Sequence, residues 1–184
     1  MIGLSIDPGM MTGVCLFSWD YDKPFKVEGV WQFDRGAPGL YAWLEQYRVR
    51  VSTGRGVRPM MWLGENKLDA LVVEKFTPRS GGEFSLTQAS SEPLRGEGVL
   101  IGRGLETYIN WGQPGQQYFM GGEDLAAKKK RSREFLKLHG FGLTGKDVGQ
   151  KDANDAISAE LHAIAWLRRM RHMPTLLELF GEED

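Results

Sequence analysis

Four carboxylates stand out by where they fall in the pattern of apolar residues. Asp7 closes the run Ile2-Gly3-Leu4-Ser5-Ile6 and is followed by Pro8-Gly9, while Glu74 closes Ala70-Leu71-Val72-Val73 and is followed by Lys75-Phe76. An acid at the carboxyl end of an apolar strand is awkward in a buried layer, and strand ends of open sheets are where ligands usually sit. If the two strands are neighbours, the acids converge, and like charges that close repel unless a cation lies between them. Asp152 and Asp155 stand at i and i+3 at the start of a helical pattern, so both can point at one place. Together the four would form an oxygen-only site suited to Mg²⁺ or Mn²⁺ rather than zinc. Two such ions roughly 4 Å apart can activate water and stabilise the leaving oxygen of a phosphodiester.

Each acid has a plainer role open to it. Asp152 can serve as a helix N-cap, Asp155 as an acid favoured by the helix dipole, and Asp7-Pro8-Gly9 as a turn. Glu74 fits none of these, because Leu-Val-Val seldom leads to an acid without a ligand to meet. The four in this order, each in its strand or helix context, favour the metal site.

The surrounding pattern supplies the elements that must position these residues. Strands are expected at 2–7, 12–19 and 26–33, joined by the turn Tyr21-Asp22-Lys23-Pro24 into an antiparallel meander. From Pro38, the residues Leu40, Trp43, Leu44 and Tyr47 fall on one helical face. The polar, Gly-rich stretch from Ser52 to Pro59 reads as a loop. The run 69–74, apolar on both faces, reads as a central strand covered by helices. A helical period covers Leu86 to Trp111, kinked or restarted at Pro93, and Gln117-Tyr118-Phe119-Met120 reads as a fifth strand. Short helices are expected between Glu123 and Leu138, and a long helix from Asp152 to about His172, with Pro174 beyond its end. The expected fold is α/β: a mixed five-stranded sheet with helices on both faces. It forms one domain over 1–174, with an acidic tail over 175–184.

Composition narrows the setting. A chain of 184 residues, 41% hydrophobic and 26% charged, can bury a substantial core without staples. Its single cysteine, Cys15, cannot form an internal disulfide and lies in an apolar run, so it reads as a small core residue in a reducing compartment. No basic segment followed by a long apolar one opens the chain, and no run approaches a membrane span, so a cytoplasmic protein without membrane contact is expected. The net charge of −1 does not mark a nucleic-acid binder, but it is unevenly spread. Lys128-Lys129-Lys130-Arg131 with Arg133, Arg168-Arg169 with Arg171, and Arg48, Arg50, Arg55 and Arg58 form three basic clusters. Such runs are more often solvated faces than binding sites. His139, His162 and His172 show no ligand spacing with Cys15, which argues against zinc, and His162 is expected in a surface or packing role.

At Ile6-Asp7-Pro8-Gly9 with Thr12-Gly13, at Val72-Val73-Glu74-Lys75-Phe76 and at Asp152-Ala153-Asn154-Asp155-Ala156, the chain resembles the RuvC family of Holliday-junction resolvases, particularly the phage-encoded RuvC-like endonucleases. The resemblance implies a ribonuclease H-like fold, a homodimer on a four-way DNA junction, and paired nicks made with Mg²⁺, Mn²⁺ being a substitute. It gives Asp7, Glu74, Asp152 and Asp155 the catalytic, metal-binding roles. It places Phe76 where the family carries an aromatic able to stack at the junction centre. Arg79 and Lys128, Lys129, Lys130 and Arg131 join it as expected DNA contacts. The long Arg48–Lys67 link and Pro93 depart from the cellular pattern, which leaves the substrate open between strict four-way junctions and a wider set of forks and flaps.

Three rival functions stay on the table. The same carboxylates would serve a nuclease acting on RNA or RNA–DNA hybrids. An ATPase of the actin and sugar-kinase group also opens with a strand and an Asp-x-Gly turn, but needs two such domains. A branched-DNA binder without catalysis would gain nothing from negative charge set against phosphate.

Overall fold

The computed structural model describes residues 1–52, 59–75, 88–112, 134 and 154–181. Its main sheet is built from β1 (Ile2–Asp7), β2 (Thr12–Ser18), β3 (Lys26–Phe33), β7 (Ala70–Glu74) and β8 (Ile109–Gly112). The strand order is β3-β2-β1-β7-β8. The first three strands are antiparallel to one another, and β7 and β8 continue the sheet parallel to β1. That order, with helices on both faces, is the ribonuclease H-like fold, and the expected mixed five-stranded sheet is present.

Strand alternation sorts the side chains into two cores. On one face Cys15, Phe17, Ala70 and Val72 pack against α3 (Asn154–Arg169), through Ile157, Leu161 and Ile164. On the other, Leu4, Ile6, Val14, Leu71 and Val73 meet α1 (Gly36–Gln46), through Leu40, Trp43 and Leu44, and α2 (Gln88–Gly102), through Leu100. The strands β1 and β7 are therefore buried on both sides, which is why they read as nearly unbroken apolar runs. Cys15 is buried, as expected of it.

Both long-range helix starts borrow their caps. No side chain of its own caps α1, and the Glu92 carboxylate of α2 accepts the Ala37 N–H at 2.9 Å. The Gln32 Oε1 of β3 accepts the N–H groups of Asp155 and Ala156 at 2.9 and 3.1 Å, satisfying two of the donors that a helix start leaves unpaired.

The structure adds elements that the sequence reading lacked and corrects one that it placed. On either side of the Gly-rich stretch read as a loop, whose residues 53–58 lie outside the described ones, β4 (Val49–Ser52), β5 (Met60–Leu63) and β6 (Asn66–Leu68) form a second, antiparallel sheet. Its Val49, Met61, Leu63 and Leu68 belong to the α1-side core, which is what holds such short strands in place. The helix expected to reach Trp111 stops at Gly102, because Gly104 takes the left-handed conformation (φ 73°) and the N–H groups of Gly104 and Leu105 close on Ile101 and Leu100. Pro93 lies within α2, which neither ends nor restarts there. The last strand of the sheet among the described residues is Ile109–Gly112; the expected strand at 117–120 and the short helices between 123 and 138 lie outside the described residues, apart from a helical Glu134. Finally, Pro174 lies beyond the end of the long helix, as expected, and there opens a further helix, α4 (Met173–Phe180), at a first-turn position where proline fits. Leu176 and Leu179 of α4 are buried, within the stretch read as tail from 175.

Candidate metal centre

The site grows out of one row of residues across the sheet. Gln32 of β3 pairs with Gly13 of β2, and Gly13 pairs with Asp7 of β1. On the other side of β1, Ile6 pairs with Val73 of β7, so the next step along both parallel strands brings Asp7 beside Glu74. Side chains alternate along each strand, so Asp7 lies on the face of Ser5 and Glu74 on the face of Val72, the α3 side. The turn after Asp7 is closed by the Thr12 hydroxyl, which donates to the Gly9 carbonyl at 3.2 Å.

The start of α3 is seated directly on this row. A Cβ at Gly13 would lie 1.9 Å from the backbone carbonyl oxygen of Asp155, so only glycine lets the helix come down this far. From there α3 follows β2, and at its far end Trp166 packs edge-on against Phe17 and Trp19.

Two turns past Asp155, on the same helical face, α3 carries His162, which is 2% exposed. Helical side chains lean toward the helix N-terminus, so this imidazole reaches back toward the strand ends. Its Nε2 lies 3.5 Å from Glu74 Oε2 and 3.9 Å from Asp7 Oδ1. One ligand atom from each of Asp7, Glu74 and His162 falls within 4.8 Å of the others.

The three groups perturb one another strongly. Burial pushes the Asp7 carboxyl up, His162 draws it down, and the neighbouring Glu74 pushes it up again, leaving it at about 6. Burial also raises Glu74, but His162 and Asp7 outweigh it and hold this acid below its ordinary value; the charge of Asp155 acts on Glu74 in the raising direction. Burial lowers His162, yet its interactions with Asp7 and Glu74 dominate and carry it to about 9. The chemistry is that of two converging acids in want of a cation, with an imidazole set against them.

Of the four acids expected in the site, Asp7 and Glu74 meet in this cluster. Asp155 stands at the start of α3, half-buried, with its backbone against Gly13 and its charge felt by Glu74, outside the three-residue group. Asp152 lies outside the described residues, as do Phe76, Arg79, Lys128, Lys129, Lys130 and Arg131.

His162 corrects the sequence reading. It is neither a surface residue nor an ordinary packing one, and among the described residues the donor set includes one nitrogen rather than oxygen alone. The signal was available in the seven-residue spacing from Asp155; comparing the histidines with Cys15 overlooked it.

Two carboxylate oxygens and an imidazole nitrogen are a donor set that suits a divalent cation, and a cation would relieve the repulsion that raises Asp7. The fold and the cluster together define a ribonuclease H-like protein with a candidate metal centre at the carboxyl edge of its sheet. Among solved structures the chain is similar to Thermus thermophilus RuvC in complex with a Holliday junction substrate, with a TM-score of 0.47 and 12% identity over 94% of this chain and 98% of that one. It is likewise similar to another structure of Thermus thermophilus RuvC, with a TM-score of 0.46 and 13% identity over 92% and 96% of the two chains. No family model matches the sequence, and no curated protein does. No helix among the described residues is long and apolar enough to cross a membrane.

Proposed function

We propose that this protein is a metal-dependent endonuclease that hydrolyses phosphodiesters in branched DNA, with the four-way junction as its principal substrate. The observation that carries the reading is the meeting of Asp7 and Glu74, from adjacent parallel strands, at the carboxyl edge of a ribonuclease H-like sheet. A divalent cation such as Mg²⁺ or Mn²⁺ would supply Lewis-acid activation of water and neutralise charge on the phosphoryl oxygens.

The protein's own part is to hold and aim. Asp7 and Glu74, each on a strand buried on both faces so that the sheet sets their separation, would hold the ion. Asp155 at the start of α3, and Asp152 three residues before it in the sequence, would complete the set of ligands. Water attacks phosphorus in line with the departing 3′-oxygen, leaving a 5′-phosphate and a 3′-hydroxyl. In this proposal Phe76 stacks at the branch point, while Arg79, Lys128, Lys129, Lys130 and Arg131 contact phosphates, which makes binding salt-sensitive. A homodimer places two such sites on one junction and accounts for paired nicks.

The test is a substrate panel: a labelled four-way junction, a matched linear duplex, a replication fork and an RNA–DNA hybrid, each with Mg²⁺, Mn²⁺ or EDTA. Metal-dependent paired cuts in the junction are expected, with the fork measuring how broad the enzyme is. Cutting confined to the hybrid would make it a ribonuclease. Tight junction binding without cutting under any metal would make it a binding protein.

A further inference from the structure

Resting on the metal-dependent reading above, we propose that His162 is itself a metal ligand, through Nε2, and that its nitrogen tilts the centre toward Mn²⁺ and its first-row neighbours over Mg²⁺. Three observations converge on this assignment.

The first is distance. The Nε2 of His162 lies 3.5 Å from Glu74 Oε2 and 3.9 Å from Asp7 Oδ1. Donors held by one ion at about 2.1 Å sit roughly 3.0 Å apart at right angles and roughly 3.4 Å apart at tetrahedral angles. The observed spacings stand a few tenths of an ångström outside that range, within reach of a small side-chain adjustment.

The second is placement. His162 is 2% exposed, on a helix whose neighbouring residues Leu161, Ala163 and Ile164 are fully buried. Its backbone is therefore fixed by packing that has no part in the site. A ring held this way meets the two carboxylates without having to be ordered on binding.

The third is donor chemistry. Mg²⁺ takes oxygen ligands in near-ideal octahedral geometry and keeps several waters, whereas imidazole suits the later first-row ions. Mn²⁺ accepts carboxylate and imidazole alike. A centre with one nitrogen among its three described donors should therefore separate Mn²⁺ from Mg²⁺ more sharply than an all-carboxylate cage would.

The experiment is electron paramagnetic resonance of Mn²⁺ added to the purified full-length protein, with electron spin-echo modulation to detect a coordinated ¹⁴N. Calorimetric titrations of Mn²⁺ and Mg²⁺ run alongside. Wild type should show nitrogen modulation. His162→Gln should lose it and bind Mn²⁺ about tenfold more weakly, with a smaller change for Mg²⁺. Should His162→Gln fail to fold, His139→Gln and His172→Gln provide the assignment, since nitrogen modulation retained in both leaves His162 as its source. Bound Mn²⁺ without nitrogen modulation overturns the role of His162 and leaves the metal-dependent nuclease standing. A folded protein that binds no Mn²⁺ at millimolar concentration overturns both.

Discussion

Asp7 and Glu74 were legible because each breaks an apolar strand at its end, where burial makes a charge expensive and only a ligand or partner makes sense of it. His162 was not legible, because it sits among Ala, Ile and Leu on a helix face where a histidine reads as packing. Only the fold reveals that the same face looks onto the strand ends. Asp7→Asn keeps the size of the side chain and removes one negative charge, so it should leave the thermal midpoint within a few degrees of wild type while metal binding falls by at least about tenfold; calorimetry and a melting curve check both. Glu160 is a second informative residue. It is fully buried on α3, neither carboxylate oxygen has a hydrogen-bond partner among the described residues, and burial pushes its carboxyl up to about 9. In the unfolded chain it ionises near its ordinary 4.5, so folding takes up a proton between those two values and stability falls as pH rises through that window. Glu160→Gln should therefore be close to wild type at pH 5 and more stable by on the order of 2 kcal/mol at pH 8, measured by urea unfolding at both. An unchanged difference across that range would mean the carboxyl is ionised in the native protein.

At the scale of elements, the decisive contact is between α3 and the row Gln32–Gly13–Asp7. Gly13→Ala would drive a methyl into the Asp155 carbonyl, and because that atom is backbone the helix start itself must move. The expected result is a loss of ~1–3 kcal/mol in urea unfolding together with weakened metal binding, since the first turn of α3 would lift away from Asp7 and Glu74. Gln32→Ala removes the acceptor for the Asp155 and Ala156 N–H groups and should cost about 1 kcal/mol, the usual worth of a helix cap. Four strands of the main sheet were readable since they are long or uniformly apolar and the first three are joined by short turns, whereas β8 falls at the end of the stretch read as helix. What escaped reading were elements set by tertiary contact. β4, β5 and β6 are three or four residues each and take their order from the core beneath them. Pro174 is compatible with either stopping or starting a helix, and burial of Leu176 and Leu179 decides for starting.

Among the described residues the main sheet carries a core on each side, and α4 adds Leu179 to the α3-side core. The Thr175 hydroxyl accepts the Phe25 N–H at 2.9 Å, and His172 bridges Thr175 and the Asp20 carbonyl, so α4 is tied to the turn between β2 and β3. Removing residues 173–184 should cost ~4 kcal/mol, the burial of Leu176, Leu179 and part of Phe180, read as a lowered urea midpoint. This loss would arise at the end of the sheet away from Asp7, so metal affinity in the still-folded fraction should be nearly unchanged. The central claim is that a cation held between Asp7 and Glu74 drives phosphodiester cleavage, and one comparison tests it most directly. The initial rate of cutting a labelled four-way junction is measured for wild type, Asp7→Asn and Glu74→Gln, in Mn²⁺, in Mg²⁺ and in EDTA. Wild type should cut only when metal is present, and both variants should lose at least about 10³-fold while still folding and binding the junction. Cutting that persists in EDTA, or that survives in either folded variant, would contradict it.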